Sequence, residues 1–267
     1  MCNHFEISRS GYYKASHAEG KRKTTEALIV ELVVQIRHRH WRVGGKKLYG
    51  WLKEEIKKID GRLGRDKFFD LLGRNNLLVK RRKKYVYTTQ SYHRFRVYKN
   101  LVKDKIFTKA HQGWASDITY IRTSKGFVYL FLITDLYSRK IVGWSLSDSL
   151  RIEGALEALQ MAIKQCCVTK GLIHHSDRGI QYCSNEYVKL LRDAKIEISM
   201  TEENHCYENA TAERVNGILK QEYGLEEEFA TKKQAIQATR QAIWLYNMER
   251  PHWSLQLCTP HQVHTAA

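Results

Sequence analysis

Apolar residues follow two different rhythms along the chain. Between residues 24 and 76 the rhythm is helical. TTEALIVELVVQIRHRH (24–40) is a largely apolar run led by Thr24 and Thr25 as candidate caps, and KKLYGWLKEEIKKI (46–59) sets Leu48, Trp51, Leu52, Ile56 and Ile59 on one stripe. DGRLG (60–64) interrupts it, and RDKFFDLLGRNN (65–76) starts a further amphipathic helix that stops at Asn75 and Asn76. Short helices about a glycine-containing turn predict a helix-turn-helix-like segment over 46–76. Such a shape docks in a DNA groove, although any helical hairpin shares it.

From residue 111 the rhythm becomes that of strands. WASDITYIR (114–122) alternates, KGFVYLFLITDLYSR (125–139) is almost continuously apolar, and KIVGWSLS (140–147) follows across a short polar turn, which together predict an antiparallel meander. RIEGALEALQMAIKQCC (151–167) returns to helical spacing through Ala155, Leu156, Leu159, Ala162 and Ile163. GLIHH (171–175) then reads as a short buried strand running into Asp177, NEYVKLLRDAK (185–195) as a helix, IEISM (196–200) as a strand and YENATAERVNGILKQEY (207–223) as a long helix. The order βββαβαβα predicts an α/β fold, a mixed sheet flanked by helices. A further helix, TKKQAIQATRQAIWLYNMER, and a docked tail close the chain.

Composition narrows the class. In 267 residues, 43% are hydrophobic, with 15 Tyr and 6 Trp, enough for sizeable cores. No apolar run reaches membrane-spanning length and the start lacks a signal-peptide pattern, so no membrane association and a cytoplasmic location are expected. Six cysteines without Cys-x-x-Cys spacing read as reduced thiols, and His38 and His40 lack the cysteine pair of a zinc module. Charge is more informative. Residues 1–110 hold 28 Lys and Arg against 10 Asp and Glu, whereas residues 111–267 hold 17 against 18. A basic region beside a neutral one points to a polyanion as partner of the first. The run Lys80, Arg81, Arg82, Lys83 and Lys84, followed by aromatics interleaved with Arg94, Arg96 and Lys99, suits phosphates and bases. Two domains are therefore expected, a basic, mostly helical DNA-binding region over 1–105 with a basic linker at 77–105, and a second domain over 106–267.

Three acids stand where ligands can converge. Asp117 lies in the first strand, Asp177 just past the fourth, and Glu213 near the start of the long helix. Alone, the Asp-x-Gly of HHSDRGIQY is a turn signature, and each acid has an ordinary structural explanation. On the helix, Glu213, Asn216, Gly217 and Lys220 share a face separate from the stripe Val215, Ile218 and Leu219. Asp135, in LITDLYSRK, reads as structural or as support behind the acids, and His174 and His175 as packing residues.

The spacing of the acids, with 35 residues between Asp177 and Glu213, resembles the D,D(35)E core of retroviral integrases and many bacterial transposases. WASDITYI, LITDLYSRKIVGW, HHSDRGIQY, ENATAERVNGILKQE and YNMERPHWSLQLCTPHQ, in that order, are similar to the transposase encoded by the second reading frame of a large group of bacterial insertion sequences. SRSGYYKA and the stretch from YGWLKEEI to TTQSYHRF also match, so the likeness covers nearly the whole chain.

The resemblance implies an RNase H-like catalytic core over about 108–225 and a DNA transposase that cuts element ends and joins them to target DNA. Its catalytic and metal-binding residues would be Asp117, Asp177 and Glu213, holding two Mg²⁺ ions, with Mn²⁺ as an alternative. Hard cations need such oxygen donors, and two of them serve an in-line displacement at phosphorus without a protein nucleophile. Lys220 would contact DNA near the acids, with Asn216, Asn209, Arg178 and the run Lys80–Lys84 as further contacts. The expected partners are double-stranded DNA, further copies of the chain on that DNA, and a helix-turn-helix product of the upstream frame. The location implied is the bacterial cytoplasm at the nucleoid. A catalytically silent DNA-binding derivative and a nuclease that cuts without joining are the alternatives. Two departures stand out. Gly217 lies inside the catalytic helix, and Glu208 replaces the usual aspartate before Asn-Ala.

Overall fold

The structure, a computed structural model, describes residues 8–79, 95–167, 169–202 and 209–266. They belong to two compact units, 1–82 and 83–267.

The first unit contains helices α1 (Arg9–Arg39), α2 (Gly45–Trp51), α3 (Lys53–Ile59) and α4 (Arg65–Arg74). Helix α1 starts well before the expected Thr24. Ser8 caps it, its side chain accepting from Gly11 N at 3.0 Å. Thr24 and Thr25 sit inside it and bond back to the carbonyls of Gly20 and Lys21. Its buried residues, Ile29 and Val33, lie in its second half, so the first half gave no periodic signal. The 46–59 stripe is two helices rather than one, because the backbone turns at Leu52 (φ −92°, ψ 6°). The apolar pattern nonetheless holds: Leu48, Leu52 and Ile56 pack with Phe68, Leu71 and Leu72. Asn76 adopts φ 54°, and Leu77 N returns to Leu72 O, so the Asn75–Asn76 stop signal is a Schellman ending.

The second unit is the predicted mixed sheet flanked by helices. Strands β1 (Gly113–Thr123), β2 (Gly126–Asp135) and β3 (Ile141–Ser147) form the antiparallel meander. Strands β4 (Ile173–Ser176) and β5 (Glu197–Met200) add in parallel on the other side of β1, giving the order β3-β2-β1-β4-β5. Helices α5 (Ile152–Gln165) and α7 (Asn185–Asp193) pack on one face around Trp114, Phe131, Leu159 and Leu191. Helices α8 (Ala210–Glu222) and α9 (Lys232–Met248) pack on the other around Leu130, Leu132, Val215, Leu219 and Tyr246. Gly143 of β3 lets α5 approach closely, since a Cβ there would collide with Ala158 O. A short α6 (Ile180–Cys183), which has no periodic signature, separates β4 from α7. Residues 95–105, grouped by sequence with the basic region, lie on this unit: Leu101 N donates to Ser199 Oγ at 2.8 Å and Arg192 donates to the Tyr98 hydroxyl at 3.2 Å. No described helix is long and apolar enough to cross a membrane.

The tail of the chain fastens α8. Arg250, 2% exposed, donates Nε to Glu222 Oε2 at 2.7 Å and a terminal nitrogen to Oε1 at 2.8 Å, while its other terminal nitrogen meets His252 Nε2 at 2.8 Å. Helix α10 (Pro260–Thr265), opened by a Thr259–Gln262 capping box, brings His264 Nδ1 within 2.9 Å of Ser138 Oγ. Ser138 in turn donates to Asp135, whose two carboxylate oxygens also accept from the backbone of His111, Tyr137 and Ser138. Asp135 is thus a turn-holding residue.

Two stability outcomes follow from this arrangement. Arg250→Ala strips Glu222 of its two-point partner and should lower unfolding free energy by about 3–5 kcal/mol in a urea titration. Gly217 sits inside α8 with no atom within 4 Å of the position of an added Cβ. Gly217→Ala should therefore raise stability by about 1 kcal/mol in the same assay.

Candidate active site

The sheet sets the two aspartates side by side. The parallel ladder pairs Gly113 with Ile173, Trp114 with His174 and Ala115 with His175. This is a constant offset of 60 residues; carried two residues further, it sets Asp117 level with Asp177. Neighbouring strands run about 4.8 Å apart, and alternation turns residues 117 and 177 to the same face. The 60-residue separation of Asp117 and Asp177 is therefore the register of a strand pair.

Asp177 stands just past β4 and closes a tight turn on itself, its Oδ1 accepting from Gly179 N at 2.9 Å. Gly179 has φ −60°, an ordinary value. A Cβ there would lie 2.9 Å from Asp177 Oδ1, so a larger residue would push the carboxylate aside. The next side chain, Arg178, donates Nε to Thr201 O at 2.8 Å and ties the turn to the end of β5.

On β1, Asp117 Oδ1 accepts from Ile118 N at 2.9 Å, and Oδ2 from Asn216 Nδ2 at 2.7 Å. Asn216 projects from α8 one turn after Glu213. Asn209, which precedes α8, donates Nδ2 to Ser116 O at 3.0 Å. Both asparagines are buried. Expected as DNA contacts, they instead spend their amides fixing α8 against β1, which brings Glu213 to the two aspartates. Glu213 itself is exposed in the first turn of α8.

Electrostatics joins the three acids. Burial pushes the Asp117 carboxyl up to about 7, helped by the charges of Asp177 and, more weakly, Glu213, and opposed by the Asn216 and Ile118 hydrogen bonds. Burial and then Asp177 also raise Glu213. Among the described residues, no three His, Cys, Asp or Glu side chains are gathered tightly enough to grip a metal ion as they stand. The donor set nevertheless suits a hard divalent cation: its atoms are oxygens, and they carry a mutual repulsion that a cation would relieve.

Beneath the acids the floor is neutral. His174 Nε2 meets Ser116 Oγ at 2.6 Å and the Tyr187 hydroxyl at 2.9 Å. Burial, reinforced by His175, pulls the His174 pKa down to about 3. His175 Nδ1 meets Ser199 Oγ at 2.9 Å. Both histidines are packing residues, as their buried sequence context suggested. Tyr182, buried close enough to feel the charges of Asp177 and Asp117, escaped the sequence reading because it looks like any core aromatic on α6. Lys220, on the last turn of α8, places Nζ 3.9 Å from the ring centroid of Tyr120. The run Lys80–Lys84 lies outside the described residues.

Comparison with known proteins gives the family of the chain. Two family profiles described as integrase core domain match residues 108–206 and 194–260. The 31 kDa protein of insertion element IS600 from Shigella sonnei is 34% identical over 265 residues, covering 97% of this chain and 96% of that one. The transposase InsF for insertion sequence IS3A from Escherichia coli (strain K12) is 29% identical, over 83% of this chain and 77% of that one. Among solved structures, a simian T-cell lymphotropic virus intasome in complex with a PP2A regulatory subunit shares the fold at a TM-score of 0.50, with 16% identity over 83% of this chain and 74% of that one. The full-length match to the insertion-element protein and the integrase core profiles together show that the chain belongs to the insertion-sequence transposases built on a retroviral-integrase-like, RNase H-like core.

Proposed function

We propose that this DDE transposase is a divalent-metal-dependent polynucleotidyl transferase that cuts DNA at the ends of its element and joins those ends to target DNA. Asp117, Asp177 and Glu213 are its catalytic acids. The observation that carries the reading is the register of β1 on β4, which sets Asp117 beside Asp177 and forces like charges together in a half-buried site. Isolated structural carboxylates are stabilised by a cation or by donors; here burial and two acid neighbours act against the charge of Asp117.

Each group in the site has a task. Asp117 is aimed by Ile118 N and Asn216, one donor to each oxygen, which leaves lone pairs on both oxygens for a cation. The Gly179 turn and the Arg178–Thr201 bond hold Asp177 in place. Glu213, on the exposed rim, completes the set. His174, neutral at physiological pH, puts no competing positive charge beneath them. Two Mg²⁺ ions, or Mn²⁺ in their place, would be held by these three carboxylates and would supply activation of the attacking oxygen and stabilisation of the leaving one. The attacking oxygen belongs to water in cleavage and to a DNA 3′-hydroxyl in joining.

Around this centre, Lys220 is placed to meet a phosphate near the acids, and the basic residues of 1–105, Lys80–Lys84 included, supply the sequence-independent grip on double-stranded DNA. Arg178 is a weaker contact, since its Nε is committed to Thr201. Several copies of the chain act together on the DNA, with the upstream-frame helix-turn-helix product as partner or fusion.

A duplex carrying the element's ends tests the reading. With Mg²⁺, the wild-type chain should nick and join it; Asp177→Asn should reduce both to background while binding the duplex with unchanged affinity. Joining by Asp177→Asn at the wild-type rate would refute the assignment, and cutting without joining by the wild type would make the protein a nuclease.

A further inference from the structure

Five side chains from three stretches of sequence form one unbroken run of hydrogen bonds at the root of the β1–β2 hairpin. Trp114 Nε1 lies 3.3 Å from His111 Nδ1, and His111 Nε2 lies 3.1 Å from His264 Nε2. His264 Nδ1 lies 2.9 Å from Ser138 Oγ, which lies 2.8 Å from Asp135 Oδ1. Trp114 and Asp135 are themselves a cross-strand pair of β1 and β2. The run therefore leaves the hairpin, passes through the C-terminal helix α10 and returns to the residue opposite its start.

The run has one possible direction. An indole nitrogen only donates, so His111 Nδ1 accepts from Trp114 and the proton of the neutral His111 ring sits on Nε2. That proton points at His264 Nε2, which must accept it, and the His264 proton is left on Nδ1, facing Ser138. Ser138 Oγ then accepts from His264 and from Lys140 N, the latter at 3.3 Å, and donates to Asp135, which is the full capacity of a hydroxyl. Neither ring has a nitrogen free for a second proton. On His111 Nδ1 it would confront the indole N–H, and on His264 Nε2 it would confront His111 Nε2–H. The ring of His111 is also set by its backbone, which holds a left-handed φ of 60° while its N–H donates to Asp135 Oδ2 at 2.8 Å. A non-glycine residue keeps that conformation where its surroundings hold it.

We propose that His111 and His264 form a proton-sensitive latch: with both rings neutral, α10 is fastened to the root of β1 and β2, and a proton on either ring unfastens it. Among the described residues, the charged groups facing the rings are Asp135 and Lys140, on either side of the β2–β3 turn, and His261 on α10 itself. Burial, then Lys140, pulls His264 down to about 4; His111 and His261 add to this, and Asp135 opposes it. Burial also lowers His111, against the pull of Asp135. A ring released from the latch returns to the ordinary 6.5, so the open form takes up a proton that the closed form refuses. The latch is therefore complete above 6.5 and is lost as pH falls from there toward 4. Through His264 alone, its closing equilibrium should be about 30-fold weaker at pH 5 than at pH 8. The latch adjoins Gly113–Ala115, the segment that pairs with β4. His111 and His264 are thus positioning residues for the strand that carries Asp117, and the inference holds whatever chemistry that acid performs.

Hydrogen exchange of the full chain, read by mass spectrometry between pH 8 and pH 5 and corrected for the intrinsic exchange rate, tests the latch. The amides of Val263 and Ala266, which bond to Thr259 O and Gln262 O in α10, should lose about 30-fold in protection at pH 5. Those of Leu130 and Leu132 in β2 should keep theirs. His261→Gln, on the same helix but outside the run, should show the same loss, whereas the double variant His111→Gln/His264→Gln, which has no ring to protonate, should show no dependence on pH. Wild-type protection of α10 that is equal at the two pH values would overturn the proposal. So would a parallel loss in β2, a pH dependence that survives in the double variant, or one abolished by His261→Gln.

Discussion

Three residues of parallel ladder, Gly113–Ala115 against Ile173–His175, determine where Asp117 and Asp177 stand relative to one another. Parallel pairing preserves sequence offset along both strands, so the register that buries Trp114 and Ile173 also brings Asp117 level with Asp177 where the pairing ends. A slip of one residue would turn one of the carboxylates to the opposite face, among Trp114, Tyr187 and Leu159. The core therefore enforces a juxtaposition that the acids themselves oppose. Because folding raises the Asp117 carboxyl to about 7, its contribution favours the fold at low pH and turns against it as pH climbs from the ordinary carboxylate range through that value. The apolar contacts on both faces of the sheet and the Arg250–Glu222 clamp on α8 offset that cost.

The elements that bury a periodic face were legible in the sequence. The meander, the strand into Asp177 and the helices on each side of the sheet all carry alternating or helical apolar patterns, and the structure contains them. Where the deciding contact was polar or the element unburied, the pattern was silent. The first half of α1 has no buried residue to betray it, and the turn at Leu52 splits a stripe without disturbing its apolar positions. At the site, residue types and spacing pointed to Asp117, Asp177 and Glu213, and the ladder gives the separation of the two aspartates a mechanical meaning. Asn209 and Asn216 looked like surface contacts because asparagine beside a catalytic helix is as plausible against a phosphate as against a backbone carbonyl. Only their burial decides that one holds Ser116 O and the other Asp117. Gly179 illustrates the same limit: the sequence suggests a turn glycine, while the structure adds the close approach of a carboxylate.

Single elements carry residues of opposite charge at their two ends. Strand β1 carries Asp117 near its start, where β4 stops pairing, and Arg122 near its end, where β2 turns back. Helix α8 repeats the arrangement, with Glu213 in its first turn and Lys220 in its last. Anchored by Asn209 and Asn216 at one end and by Glu222 at the other, it sets an acid and a cation at a fixed separation.

Burial and its acid neighbours raise the Asp117 carboxyl to about 7, so a divalent cation bound by the three acids should displace its proton. Calorimetric titration of Mg²⁺ into the full chain, in two buffers of different ionisation enthalpy, measures the protons displaced. With a carboxyl near 7, binding at pH 7 should release about half a proton per chain, more at pH 6 and almost none at pH 9. Identical heats in the two buffers at pH 7 would contradict the account, as would a proton release that persists unchanged in Asp117→Asn.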